Sequence, residues 1–135
     1  MSNTSFAALL RGTDSAGQRT FHFTSDWGQG RAIYGGLIGA ALYKTMRGQV
    51  PTDRQLRAMT VAFIGPVAPE PATVTATVLR QGKSVTQVEA RLMQHDQILA
   101  TANASFGASR QSSIVVPGAP RPDAPAPDTV RALPN

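Results

Sequence analysis

Hydrophobic and polar positions change period several times along this chain. Residues 18–25, QRTFHFTS, alternate: Phe21 and Phe23 point one way, Thr20, His22 and Thr24 the other. That period of two predicts a strand. Residues 33–44, IYGGLIGAALYK, are apolar nearly all round, the pattern of a buried helix. It is expected to run from about Tyr34 to Arg47 and to stop at Gly48, with Pro51 just beyond. Residues 3–11 suggest a short helix with Phe6, Leu9 and Leu10 on its apolar side. Four further strands follow, at 55–65, 72–82, 83–94 and 98–108. PVAPEP separates the first two, since it cannot continue a central ladder. Gly82 and the HDQ run at 95–97 supply the remaining turns. One long helix beside a run of antiparallel strands argues for α+β.

The helix is unusually bare. Leu37, Ile38, Ala41, Leu42, Thr45 and Met46 cover most of it, with Gly35, Gly36, Gly39 and Ala40 between. Each interior glycine costs about 1 kcal/mol relative to alanine. A sheet curling closely around the helix would account for small residues along its length. At the N-terminal end the first backbone N–H groups have no helical partner and carry the positive end of the dipole. Gly35 and Gly36 leave them open to a carbonyl oxygen or anion, or simply turn the chain tightly.

Composition narrows the picture. At 135 residues the chain is one domain, expected over residues 1–108. Five of ten prolines fall in residues 117–127, so 109–135 reads as an extended tail or linker. There is no cysteine, which excludes disulfides and thiolate metal sites. His22 and His95 have no companion ligands, so no metal is expected. No apolar run approaches the ~20 residues of a membrane helix, and MSNTSFAALLRG lacks the form of a signal peptide. These features lead to the expectation of a cytoplasmic protein with no membrane partner. A net charge of +5 favours anionic partners. The basic residues are spread without a run, which argues against nucleic acid.

Candidate chemistry clusters in two places. Around the helix start, Asp26 is the nearby carboxylate, able to activate water or to cap the loop. Gln29 could orient a water; Tyr34 could bound a pocket or pack at its mouth. On the strands, Arg80, Lys83 and Arg91 surround LRQGKSVTQVEAR, either as a phosphate-binding turn or as ordinary surface charge.

IYGGLIGAALY, FIGPVAPEPATVTATVLRQGKSVTQVEARLMQHDQILATANASFG and PGAPRPDAPAPDTVRALP together resemble the acyl-CoA thioesterase II-type family. The resemblance covers roughly residues 15–135. It implies a hotdog fold, in which a curled antiparallel sheet of about five strands wraps one central helix. It also implies hydrolysis of acyl-CoA thioesters to free acid and CoA, with no cofactor beyond the CoA of the substrate. Gly35 and Gly36 would then polarise the carbonyl, with Asp26 or Gln29 assisting the water. Leu37, Ile38 and Met59 would line the acyl chain, Tyr34 and Ser105 would border it, and Arg80 and Lys83 would hold phosphates. Family members usually carry two hotdog halves, and their hydrolytic Asp, Thr and Gln lie mainly in the second. At the family's Gln position on the last strand this chain has Ser105. A homodimer or higher oligomer is therefore the smallest working species expected, associating through a sheet face bearing Thr73, Thr75 and Thr77. The alternatives are a non-catalytic acyl-CoA-binding or assembly unit, or the N-terminal half of a double-hotdog enzyme.

Overall fold

The computed structural model describes residues 3–15 and 17–132. Residues 1, 2, 16 and 133–135, which the expected domain and tail include, lie outside the described residues. Short helix α1 (Phe6–Leu9) begins at Ser5, whose hydroxyl accepts from the Ala8 amide. Strands β1 (Thr13–Ser15) and β2 (Gln18–His22) follow. A 3-10 turn at Ser25–Trp27 leads into a small hairpin, β3 (Gly28–Gln29) and β4 (Ala32–Ile33). Helix α2 (Gly35–Arg47) comes next, then β5 (Arg54–Phe63), β6 (Pro71–Gln81), β7 (Val85–Gln94) and β8 (Gln97–Ala108).

The main sheet has six antiparallel strands in the order β1-β2-β6-β7-β8-β5, one more than the five expected. The addition is β1, which folds back on β2. Three residues of strand between Gly12 and Gly17, both at positive φ, carry too little periodicity to be seen in sequence. Irregular registers near Arg57, Leu79 and Leu99 bend the sheet. The β7–β8 hairpin turns at His95 and Asp96, both at positive φ, as a tight two-residue turn requires.

Alternation decides what faces the helix. Ala72 and Val74 of β6, Thr86, Val88, Ala90 and Leu92 of β7, and Ala100, Ala102, Ala104 and Phe106 of β8 are buried beneath α2. Phe21 and Phe23 stack in the same core with ring centroids 6.2 Å apart. The helix contributes Leu37, Ile38, Ala41, Leu42, Thr45 and Met46. It packs chiefly on β6 and β7, then on β8 and β2. β5 stands at the far edge of the sheet, and its helix-side residues Leu56 and Phe63 are exposed.

The curled sheet takes α2 as its central helix, as expected, but the helix glycines do not serve its closure, which corrects the reason given for them. Gly36 is exposed, and a Cβ on Gly39 would meet nothing within 4 Å. Of these helix glycines only Gly35 faces a strand side chain, the ring of Phe63, at 3.2 Å from a would-be Cβ.

Residues 109–132 lie beyond the sheet and are exposed, Ile114, Val115 and Val116 among them.

Candidate active site at the start of the central helix

The loop before α2 is held by backbone bonds that leave the helix start open. Ile33 N donates to Val67 O at 2.9 Å, and Tyr34 N to Trp27 O at 2.9 Å. Tyr34 then serves as N-cap without a side-chain hydrogen bond of its own. Its carbonyl accepts from Leu37 N at 3.0 Å and Ile38 N at 3.3 Å. Of the four amides that a helix start leaves unpaired, those of Gly35 and Gly36 find no protein acceptor among the described residues.

Two aromatic rings frame these amides. Phe63, at the end of β5, lies over Gly35, and the ring of Tyr34 lies over Gly36, 2.4 Å from a would-be Cβ. Both rings are more than half exposed, at 59% and 51%. Ile64 beside them is 61% exposed, so the helix start opens onto an apolar surface. No acidic residue lies in the first helical turn to compete for the amides.

The other sequence candidates separate. Asp26 is exposed, and its carboxylate accepts the Thr4 amide at 2.6 Å. The Thr24 hydroxyl first, and the Thr4 amide second, hold its carboxyl below the usual range. Trp27 completes this clasp: its Nε1 donates to Thr4 O at 2.7 Å and its ring meets Phe6 at 5.8 Å. Asp26 is thus the cap that ties down the arm carrying α1. Gln29 is exposed on β3, and its amide makes no hydrogen bond among the described residues.

Leu37 and Ile38, at 0% and 3% exposure, face the sheet from inside the core and offer no surface to an acyl chain. The open stripe of the helix is instead Gly36, Gly39, Ala40 and Tyr43. Met59, on the helix side of β5, is half-buried. Ser105 projects from the opposite face of the sheet, where its hydroxyl donates to Gln87 Oε1 at 2.9 Å. It is removed from the helix start by the thickness of the sheet. Alternation carried that signal, since Ala104 and Phe106 on either side face the core.

Arg80 and Lys83 meet at the β6–β7 turn, around a depression of about 300 Å³ shared with Gly82, Ser84, Val85 and Gln87. That turn lies at the other end of the sheet. Phe63 pairs with Ala100, and Gln55 pairs with Gly107, seven residues or about 23 Å further along β8. A single chain therefore keeps the two candidate clusters a sheet's length apart. A depression of about 710 Å³ lies at neither cluster; Leu10, Arg19, Ala40, Tyr43, Lys44 and Val50 border it toward the helix C-terminus. At its edge Arg19 pairs with Asp14 and holds that carboxyl below its usual value.

One central helix set against a curled antiparallel sheet is the hotdog fold. The family model described as acyl-CoA thioesterase N-terminal domain matches residues 23–107, and the chain belongs to that family. A hotdog protein of unknown function from Alicyclobacillus acidocaldarius is similar over 96% of this chain and 49% of its own, with TM-score 0.83 and 24% identity. An acyl-CoA thioesterase II from Mycobacterium marinum is similar over 93% and 46%, with TM-score 0.75 and 18% identity. A Bacillus halodurans protein whose structure contains CoA is similar over 78% and 76%, with TM-score 0.66 and 17% identity. The chain spans about half the length of the first two. No curated protein matches it. Among the described residues, no helix is long and apolar enough to cross a membrane.

Proposed function

We propose that this chain is an acyl-CoA thioester hydrolase that works paired with a second hotdog unit. The observation that carries the reading is the pair of unpartnered amides of Gly35 and Gly36 at an open, apolar helix start. A thioester carbonyl accepting from both would be polarised, and the oxyanion formed by water attack would be held by the same donors. One such donor is worth about 3 kcal/mol of barrier. Tyr34 and Phe63 would flank the acyl group, and Met59 would extend the apolar wall. Gln29 would orient the water, with a general base supplied by the second unit.

The second unit has a natural place. β5 ends the sheet, and a strand edge with an apolar helix-side row, Leu56, Met59, Val61 and Phe63, suits pairing with another sheet. Antiparallel pairing of β5 with its copy would bring one unit's Arg80–Lys83 turn to the end of the sheet carrying the other's helix start. The phosphates of CoA would then meet the turn while the sulfur meets the amides. A fused second half would serve as well as a copy. The Thr73, Thr75 and Thr77 face is a further contact for a higher oligomer. The reading takes the protein to act in the cytoplasm, whose reducing conditions suit a chain without cysteine.

A second reading is a non-catalytic acyl-CoA-binding unit. The engagement of Asp26 by Thr4, which occupies the carboxylate nearest the helix in sequence, favours it. A thiol-release assay over a panel of acyl-CoAs tests the two. Turnover supports the hydrolase; binding without turnover supports the second reading.

A further inference from the structure

Arg54, the first residue of β5, is only 8% exposed, yet it meets no carboxylate at hydrogen-bond distance. Asp53 Oδ2 comes to 4.0 Å of its Nε, on a side chain that is 70% exposed. The guanidinium instead donates to neutral oxygens: Nη1 to Thr86 Oγ1 at 3.2 Å, Nη2 to Gly82 O at 3.1 Å and to Lys83 O at 3.0 Å. Its Nε–H is buried without a partner among the described residues. Burying a cation without a counter-charge is strongly unfavourable, and an apolar side chain of similar size commonly serves folding better. What Arg54 does hold is the β6–β7 turn, the segment that carries Lys83 and follows Arg80.

The turn is fixed from three sides. Gly82 N donates to Val85 O at 2.8 Å, Ala108 N donates to Ser84 O at 2.9 Å, and Arg54 gathers the carbonyls of Gly82 and Lys83 from below. With both carbonyls drawn inward, Lys83 and Arg80 border the outer depression, whose lining contains no carboxylate. The same end of the molecule carries Arg57, whose Nη2 donates to Gly107 O at 3.2 Å, and Arg47, which donates to the carbonyls of Val50, Pro51 and Thr52. Its guanidinium groups thus donate to carbonyls, with Asp53, 4.0 Å from Arg54 Nε, as the carboxylate that comes near them.

We propose that Arg54 is a positioning residue for coenzyme A: it holds the β6–β7 turn so that Arg80 and Lys83 face the phosphates. The proposal rests on the acyl-CoA reading above. Lysine cannot replace it, because a single ammonium lacks the planar fork that reaches two carbonyls and a hydroxyl together.

The test uses the full chain with Arg54→Lys, which keeps the charge, and Thr86→Val, which removes one acceptor and leaves the arginine. Coenzyme A is titrated by calorimetry, and KM and kcat are measured with an acyl-CoA that the wild type hydrolyses. Arg54→Lys should raise the Kd and KM about tenfold, the scale of one charge-assisted hydrogen bond, with kcat within twofold. Thr86→Val should move both constants the same way, about threefold. Unchanged Kd and KM in both variants overturn the proposal, as does a kcat that falls while KM stays at the wild-type value, because a role confined to folding lowers only the active fraction. Wild-type protein that binds no coenzyme A removes the acyl-CoA reading itself, and the proposal with it. That result is distinct from wild-type binding which the variants leave intact.

Discussion

At the scale of single residues, what a side chain already holds decides what chemistry it has left to do. Asp26 commits its carboxylate to the Thr4 amide, so Asp26→Asn should leave kcat within about twofold of wild type; a loss of a hundredfold would show that it is a base after all. Its effect belongs to stability and to pH. The carboxyl is held below its ordinary value of about 3.9. The stabilisation is therefore complete above that value and is lost as pH falls through the lower folded one. Between pH 5 and 2 the unfolding midpoint of the wild type should fall further than that of Asp26→Asn. Leu37 is a second case. It is fully buried against the sheet, so Leu37→Ala should cost about 2–5 kcal/mol in denaturant unfolding. It should leave the KM of whatever fraction stays folded near wild type.

At the scale of elements, the pattern of the sequence was legible in proportion to its period. The helix expected from Tyr34 to Arg47 is Gly35–Arg47, and the four long strands lie within a few residues of their expected limits. β1 and the β3–β4 hairpin were not legible, because two or three residues cannot express a period. The face that each strand residue takes was legible for Ser105, through the residues beside it, but not for Arg54. A guanidinium at a strand end reads as surface, and nothing local announces that it will be buried under a turn from residues 82–83. The glycines mark another limit. Their number shows a bare helix, but which side is bare depends on where the sheet stops, a property of strand order. Gly39 tests this. With nothing within 4 Å of its would-be Cβ, Gly39→Ala should stabilise the isolated chain by roughly 0.5–1 kcal/mol. Destabilisation would mean that the open helix face is covered in solution.

For the molecule as a whole, the proposed function divides between the two ends of one sheet. In that reading the helix start would supply donors for a carbonyl, and the far end cations for phosphates. About 23 Å of strand lies between them. An exposed β5 edge with a half-covered apolar row is the feature that a second unit would complete. Sedimentation of the chain alone should show a species of twice its mass, and Phe63→Lys should dissociate it without unfolding it. A wild-type chain that is monomeric at high concentration would assign the missing half to another polypeptide or to a longer form of this one.

In the proposed function the open amides of Gly35 and Gly36 hold the thioester carbonyl. Steady-state thiol release by Gly36→Val tests it most directly, with Tyr34→Ala as a control because any side chain at Gly36 must displace that ring. The expected result is a kcat for the best acyl-CoA that falls at least about a hundredfold in Gly36→Val, with circular dichroism unchanged and Tyr34→Ala still active. Full turnover by folded Gly36→Val would contradict it.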